Sequence, residues 1–208
     1  MRPILPTALA LAATTLAALG QGTFFYDQQS ATSQAISGGA PFGVEQPFGQ
    51  AFTPALSSVG FVQFEFIDSL PGDGIGATVY VNLWADSIAT GTLLGSTTPV
   101  FMPDGFMYGV TNFLFTTPAL VTPGKTYYLQ PVVQSGDPQW GTVVGNFNYA
   151  NGTWIAHGQP VLDGSVLWFR EGTIVPEPSS ALLFALAAAT LCAPGFRPLR
   201  HLVGCPHA

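Results

Sequence analysis

Positive charge is the scarcest thing in this chain. Lys and Arg together number 5 in 208 residues against 11 Asp and Glu, a net charge of −6. Between residues 21 and 174 only Lys125 and Arg170 are basic. Ten acids face them there (Asp27, Glu45, Glu65, Asp68, Asp73, Asp86, Asp104, Asp137, Asp163 and Glu171), so this stretch carries −8. Nucleic-acid binding needs Lys and Arg to neutralise phosphates, and it is set aside. Cysteine is nearly absent: Cys192 and Cys205 both fall near the C-terminus. Residues 21–174 therefore have neither a disulfide framework nor a thiolate metal site. Their one histidine, His157, has no second histidine at a metal-ligand spacing, and no Gly-x-Ser-x-Gly elbow is present. A sustained 3.6-residue apolar period is also missing, which argues against helices in this stretch.

What is there reads as strand. Residues 59–67 alternate through Val62, Gln63, Phe64, Glu65 and Phe66. Residues 75–85 set Val79, Val81, Leu83 and Ala85 on one face and Thr78, Tyr80, Asn82 and Trp84 on the other. Further β-branched and aromatic runs fall at 110–116, 126–133, 143–149 and 165–170. Between them stand turn signals such as Pro71-Gly72-Asp73-Gly74, Pro103-Asp104-Gly105 and Gly136-Asp137-Pro138. Short strands with frequent turns predict an all-β fold, an antiparallel β-sandwich or barrel; a jelly roll of about eight strands fits the length. Residues 48–174 are expected to form this domain. Residues 21–47, rich in Gly, Ser and Gln, are expected to be a flexible or edge-strand lead-in. The phrase Phe52-Thr53-Pro54-Ala55-Leu56 returns as Phe115-Thr116-Thr117-Pro118-Ala119-Leu120, which reads as one turn solution used twice.

Both extremities are apolar. Met1-Arg2, an Ala/Leu-rich run from Ile4 to Leu19, and Ala18-Leu19-Gly20 before Gln21 predict a secretory signal peptide over residues 1–20. At the other end Val175-Pro176-Glu177-Pro178 precedes the uncharged run ALLFALAAATLCA, then Arg197 and Arg200. The prolines keep the peptide extended. From Ser179 to Phe196 a helix would span roughly 27 Å, near the ~30 Å hydrocarbon core, so a short transmembrane helix is expected over about residues 180–196. The two arginines would anchor its cytoplasmic side. This tripartite tail, residues 175–200 followed by a tail at 201–208, resembles the PEP-CTERM sorting signal of Gram-negative bacteria. The resemblance implies a partner, an exosortase-type membrane protease or transpeptidase acting near the Pro-Glu-Pro. It also implies transient residence in the inner membrane, delivery to the cell surface or extracellular matrix, and a link to exopolysaccharide. The body, through Gln50-Ala51-Phe52-Thr53, Val59-Gly60-Phe61, Gly91-Thr92-Leu93-Leu94-Gly95 and Leu120-Val121-Thr122-Pro123-Gly124-Lys125-Thr126-Tyr127, resembles the β-sandwich ectodomains found ahead of such tails.

Candidate chemistry is sparse. Several acids, Asp73, Asp104, Asp137 and Asp163, sit beside Gly or Pro and read as turn residues bonding local backbone; Glu65, inside a strand, reads as outward-facing. Asp68 and Asp73 are the candidate calcium ligands, although their spacing matches no EF-hand loop. Trp140, Tyr149 and Trp154 are the candidate glycan contacts, with Trp140 placed on a loop tip after Asp137-Pro138; the competing reading puts these rings in the core. No cofactor is expected. The resulting expectation is a non-enzymatic, exported surface or matrix protein with a structural or adhesive role. A carbohydrate-binding module is the alternative, and a secreted glycan-active enzyme stands behind both.

Overall fold

The computed structural model describes residues 22–35 and 38–176. Fourteen strands follow one another: β1 (Thr23–Gln29), β2 (Gly39–Pro41), β3 (Gly49–Phe52), β4 (Ser58–Asp68), β5 (Ala77–Ala85), β6 (Thr92–Ser96), β7 (Val100–Met102), β8 (Gly109–Leu120), β9 (Tyr127–Gly136), β10 (Trp140–Gly145), β11 (Trp154–Ala156), β12 (Gln159–Pro160), β13 (Val166–Leu167) and β14 (Phe169–Val175). The described residues contain no helix, and so none long and apolar enough to cross a membrane. The expected signal peptide, the transmembrane run at 180–196, Glu177, Pro178, Arg197, Arg200 and the tail at 201–208 lie outside the described residues.

The strands form two antiparallel sheets. The first runs β1-β14-β4-β10-β13, with β8 on the other side of β4 and β2 on β10. The second runs β12-β11-β3-β9-β5-β6, with β7 on β5. Each period-2 run turns its apolar set inward. Val62, Phe64 and Phe66 of β4, Phe113 of β8 and Phe169 of β14 meet Phe52 of β3, Val79, Val81 and Leu83 of β5 and Leu129 of β9 in one cluster. Large aromatics dominate it, each burying on the order of 150–250 Å². Gln50 of β3, fully buried, bridges the sheets: its Oε1 accepts from the Leu167 N–H of β13 at 2.9 Å, and its Nε2 donates to its neighbour Ala51 O at 2.8 Å.

Of the described residues between 22 and 47, β1 and β2 pair into the first sheet. The turn after β1 crosses the outward face of that sheet and is fixed by polar side chains beneath it. Trp168 Nε1 donates to Ser33 O at 2.8 Å, Arg170 Nε donates to Ala31 O at 2.9 Å, and the Ala35 N–H donates to Glu65 Oε2 at 2.9 Å. The Arg170 guanidinium lies 4.6 Å from the Trp168 ring centroid and 5.5 Å from that of Tyr26. Glu65 faces outward as alternation predicts, but this cover takes it out of solvent. Both faces of β4 are covered, Glu65 is fully buried, and burial raises its carboxyl above the ordinary range, against the pull of the Ala35 N–H and Arg170. At Gly172 β1 and β14 approach so closely that a Cβ would stand 2.0 Å from Phe25 O. The repeated Phe-Thr-Pro-Ala-Leu phrase falls differently in its two copies: Phe52 ends β3, whereas residues 115–120 lie within β8.

Candidate functional site

The three aromatics selected from the sequence are placed by the core rather than by solvent. Trp140 opens β10 and is fully buried, its ring 5.8 Å from that of Phe106. This overturns the loop-tip placement. Asp137 Oδ1 accepts from the Gln139 N–H at 2.8 Å and closes the turn one residue earlier, so Trp140 already pairs with Asp68 on β4. Its indole N–H has no acceptor, and a ring with no exposed face cannot stack on a sugar. Tyr149 and Trp154 are half-buried. Tyr149 packs edge-on against Phe169 at 5.1 Å, and its hydroxyl accepts from the Thr53 N–H at 3.1 Å. Burial, with Glu171 and Asp27 nearby, pushes that phenol up to about 12. Trp154 packs against Phe48 at 5.7 Å and donates Nε1–H to Ser165 Oγ at 2.9 Å. A cleft of about 340 Å³ lies beside them, lined by Tyr149, Gly152, Thr153, Leu162 and Ser165 among others. The polar ends of both aromatics are already engaged by the protein.

The acids of the turns are likewise occupied. Asp68 Oδ1 accepts from the Leu70 N–H at 2.8 Å and Oδ2 from the Gly105 N–H at 2.9 Å. Asp73 Oδ1 accepts from the Ile75 N–H at 2.7 Å. Asp104 holds the Gly72 and Gly74 amides at 2.7 and 2.9 Å, and these bonds draw its carboxyl below the ordinary range. Among the described residues no group of three potential metal ligands converges, at Asp68 and Asp73 or elsewhere. His157 and Gly158 form the two-residue turn joining β11 and β12, with φ of 50° and 72°, a pair of left-handed values suited to a tight hairpin. Of the expected sorting motif, Val175 ends β14, half-exposed, and Pro176 follows it in the open.

Two arrangements carry no sequence signal of their own. The first is an acid pair at the joint of β1 and β14. Glu171 is fully buried and neither of its oxygens has a hydrogen-bond partner of good geometry. Burial above all, then the neighbouring Asp27, raises its carboxyl to about 9, with the Gln28 N–H pulling weakly the other way. Asp27 itself is fixed by the Ala55 and Leu56 N–H groups at 2.8 and 2.9 Å. In sequence Glu171 stands next to Arg170 and looks like half of a surface pair. Strand alternation instead sends Arg170 outward and Glu171 inward.

The second is a line of amides on the outward face of the second sheet. Cross-strand pairing sets Asn82 of β5 beside Gln130 of β9 and Ser96 of β6, and Trp84 beside Tyr128. Ser96 Oγ donates to Asn82 Oδ1 at 2.6 Å, and Asn82 Nδ2 donates to Gln130 Oε1 at 3.4 Å. Trp84 Nε1 donates to that same Gln130 oxygen at 2.7 Å. Gln130 Nε2 donates to Gln46 Oε1 at 2.8 Å, and Gln46 Nε2 ends the line on Phe42 O and Pro131 O at 3.0 and 2.9 Å. Asn82 and Gln130 are buried although they face outward, while Tyr80, Trp84 and Tyr128 around them are half-buried. Where the line reaches Ser96 there is a shallow cleft of about 430 Å³, lined by Tyr80, Ser96, Thr97, Pro99, Val133 and Gln134. The alternation over 75–85 already put Tyr80, Asn82 and Trp84 on one face. The hydrogen-bond line itself depends on Gln46, far away in sequence. No family model and no curated protein matches this chain.

Proposed function

We propose that the chain is an exported protein of the cell surface or extracellular matrix of a Gram-negative bacterium. In this reading it is sorted by a PEP-CTERM/exosortase system through the inner membrane. Its jelly-roll-like β-sandwich then has a structural or adhesive role linked to exopolysaccharide rather than a catalytic one. The observation that carries this reading is a coincidence of boundaries. The strand-built unit runs from Phe24 to Val175, so its last strand ends on the first residue of Val175-Pro176-Glu177-Pro178. A sorting peptide placed there leaves the fold whole when it is cut. The short apolar run and Arg197 and Arg200 beyond it support a membrane-held intermediate, and residues 1–20 support entry through the secretory route.

Cell fractionation with mass spectrometry of the mature termini tests it. The expected product begins at Gln21, ends near Pro178 and is found outside the inner membrane. Recovery of the intact chain from the cytosol in soluble form would refute it. A second reading, carbohydrate binding by the sandwich, is favoured by the half-buried Tyr80, Trp84 and Tyr128 beside outward-facing amides.

A further inference from the structure

The geometry points to the cleft at Tyr80, Ser96, Thr97 and Gln134 as a binding site for one sugar residue of a neutral glycan. Its volume of about 430 Å³ lies within the usual range for small-ligand sites, about 300–1,000 Å³. No ionisable carboxylate, amine or imidazole lines it. The folded stretch around it carries a net −8, which repels acidic polymers. A neutral polyhydroxylated ligand is the chemistry left.

The hydrogen-bonding groups are oriented in advance. Ser96 Oγ commits its proton to Asn82 at 2.6 Å, so its lone pairs are what it offers the cleft. That donation heads the line Ser96-Asn82-Gln130-Gln46, in which each bond polarises the next. Thr97 is buried beneath the cleft, and its Oγ1 accepts from the Val81 N–H at 2.9 Å, so it fixes the floor on which Ser96 stands. Tyr80 contributes a partly exposed ring for stacking on the apolar face of a pyranose and a hydroxyl with no partner among the described residues. The amide of Gln134, exposed and equally without a partner among the described residues, lies at the rim. Because the line ends on backbone carbonyls of Phe42 and Pro131, the acceptor is held by the sheet and little ordering remains for binding to impose.

This site rests on the carbohydrate-binding reading and refines it. The test is isothermal titration of the full chain, held in a non-glycosidic detergent, with neutral oligosaccharides of glucose, mannose and galactose and with an oligogalacturonate as the acidic comparison. At least one neutral oligosaccharide should bind and the acidic one should not. Tyr80→Ala should weaken binding about three- to tenfold through lost stacking. Ser96→Ala, a change on an exposed residue that leaves the core intact, should weaken it about fivefold through one lost hydrogen bond. Trp154→Phe, at the other cleft, should leave it unchanged. Neutral-glycan binding that survives both Tyr80→Ala and Ser96→Ala would overturn this site and keep the broader reading. Absence of binding to every neutral oligosaccharide, or preference for the acidic one, would overturn both.

Discussion

Glu171→Gln should stabilise this protein at neutral pH and remove the pH dependence that Glu171 imposes above pH 5. The carboxyl is buried without a hydrogen-bond partner of good geometry, and burial together with Asp27 raises it to about 9 from an ordinary 4.5. In the folded state it is therefore protonated at pH 7, whereas in the unfolded chain it is ionised. Unfolding releases a proton throughout this window, so the stability due to Glu171 is complete below about 4.5 and declines as pH rises toward about 9. Each pH unit in the window removes about 1.4 kcal/mol. By pH 7 the loss is about 3 kcal/mol, a large fraction of an ordinary domain's stability of about 5–15 kcal/mol. Glutamine keeps the shape, cannot ionise, and can donate its amide toward Asp27. The groups around this site are Asp27 from β1 and Tyr149 from the segment after β10, whose phenol is raised out of the same window. The assay is denaturant unfolding of wild type and Glu171→Gln from pH 4 to 9. Glu65, whose carboxyl is also raised, contributes to both curves and cancels in their difference. The difference should grow from near zero at pH 4 to about 3 kcal/mol at pH 7 in favour of glutamine. A difference that stays flat across this range would show that Glu171 is ionised in the folded protein, and the reasoning from its burial would fail.

Two further outcomes follow from the packing. Trp140→Ala should cost about 3–5 kcal/mol of stability by opening a cavity. Trp140→Phe should cost much less, because the indole N–H has no acceptor to lose; denaturant midpoints at matched slopes check both. Gly172→Ala should loosen β1 from β14, since the new Cβ would stand 2.0 Å from Phe25 O, and faster amide exchange confined mainly to β1 and its turn is the expected signature. Exchange that rises equally in every strand would count against a local joint there.

The long strands were legible because they obey one rule. In β4, β5, β8 and β9 apolar residues recur every second position, and that alternation gives both the strand and its inward face. β2, β7, β11, β12 and β13 have two or three residues each, too few to display any period. Trp140 was misplaced because Asp137-Pro138 marks a turn but not its last residue; the Asp137 cap on Gln139 settles that. Glu65 faces outward as alternation implies, but its burial was not legible, because residues 31–35, with hardly any apolar signal, cover it by hydrogen bonds to Trp168, Arg170 and Glu65. The amide line and the Asp27–Glu171 pair join residues far apart in the chain, and nothing local announces such meetings.

The first and last strands of the folded unit are neighbours in one sheet, with the Ser30 N–H bonded to Phe169 O at 3.0 Å and Gly172 against Phe25, so from that first contact both strands extend side by side toward Thr23 and Val175. The polypeptide thus leaves the module close to where it came in. A module of this kind can be spliced into the surface loop of a host protein without prying the host's cut ends apart. It can also be closed into a ring by a short linker and reopened at another loop, such as that joining β5 to β6, with its strand pairings untouched.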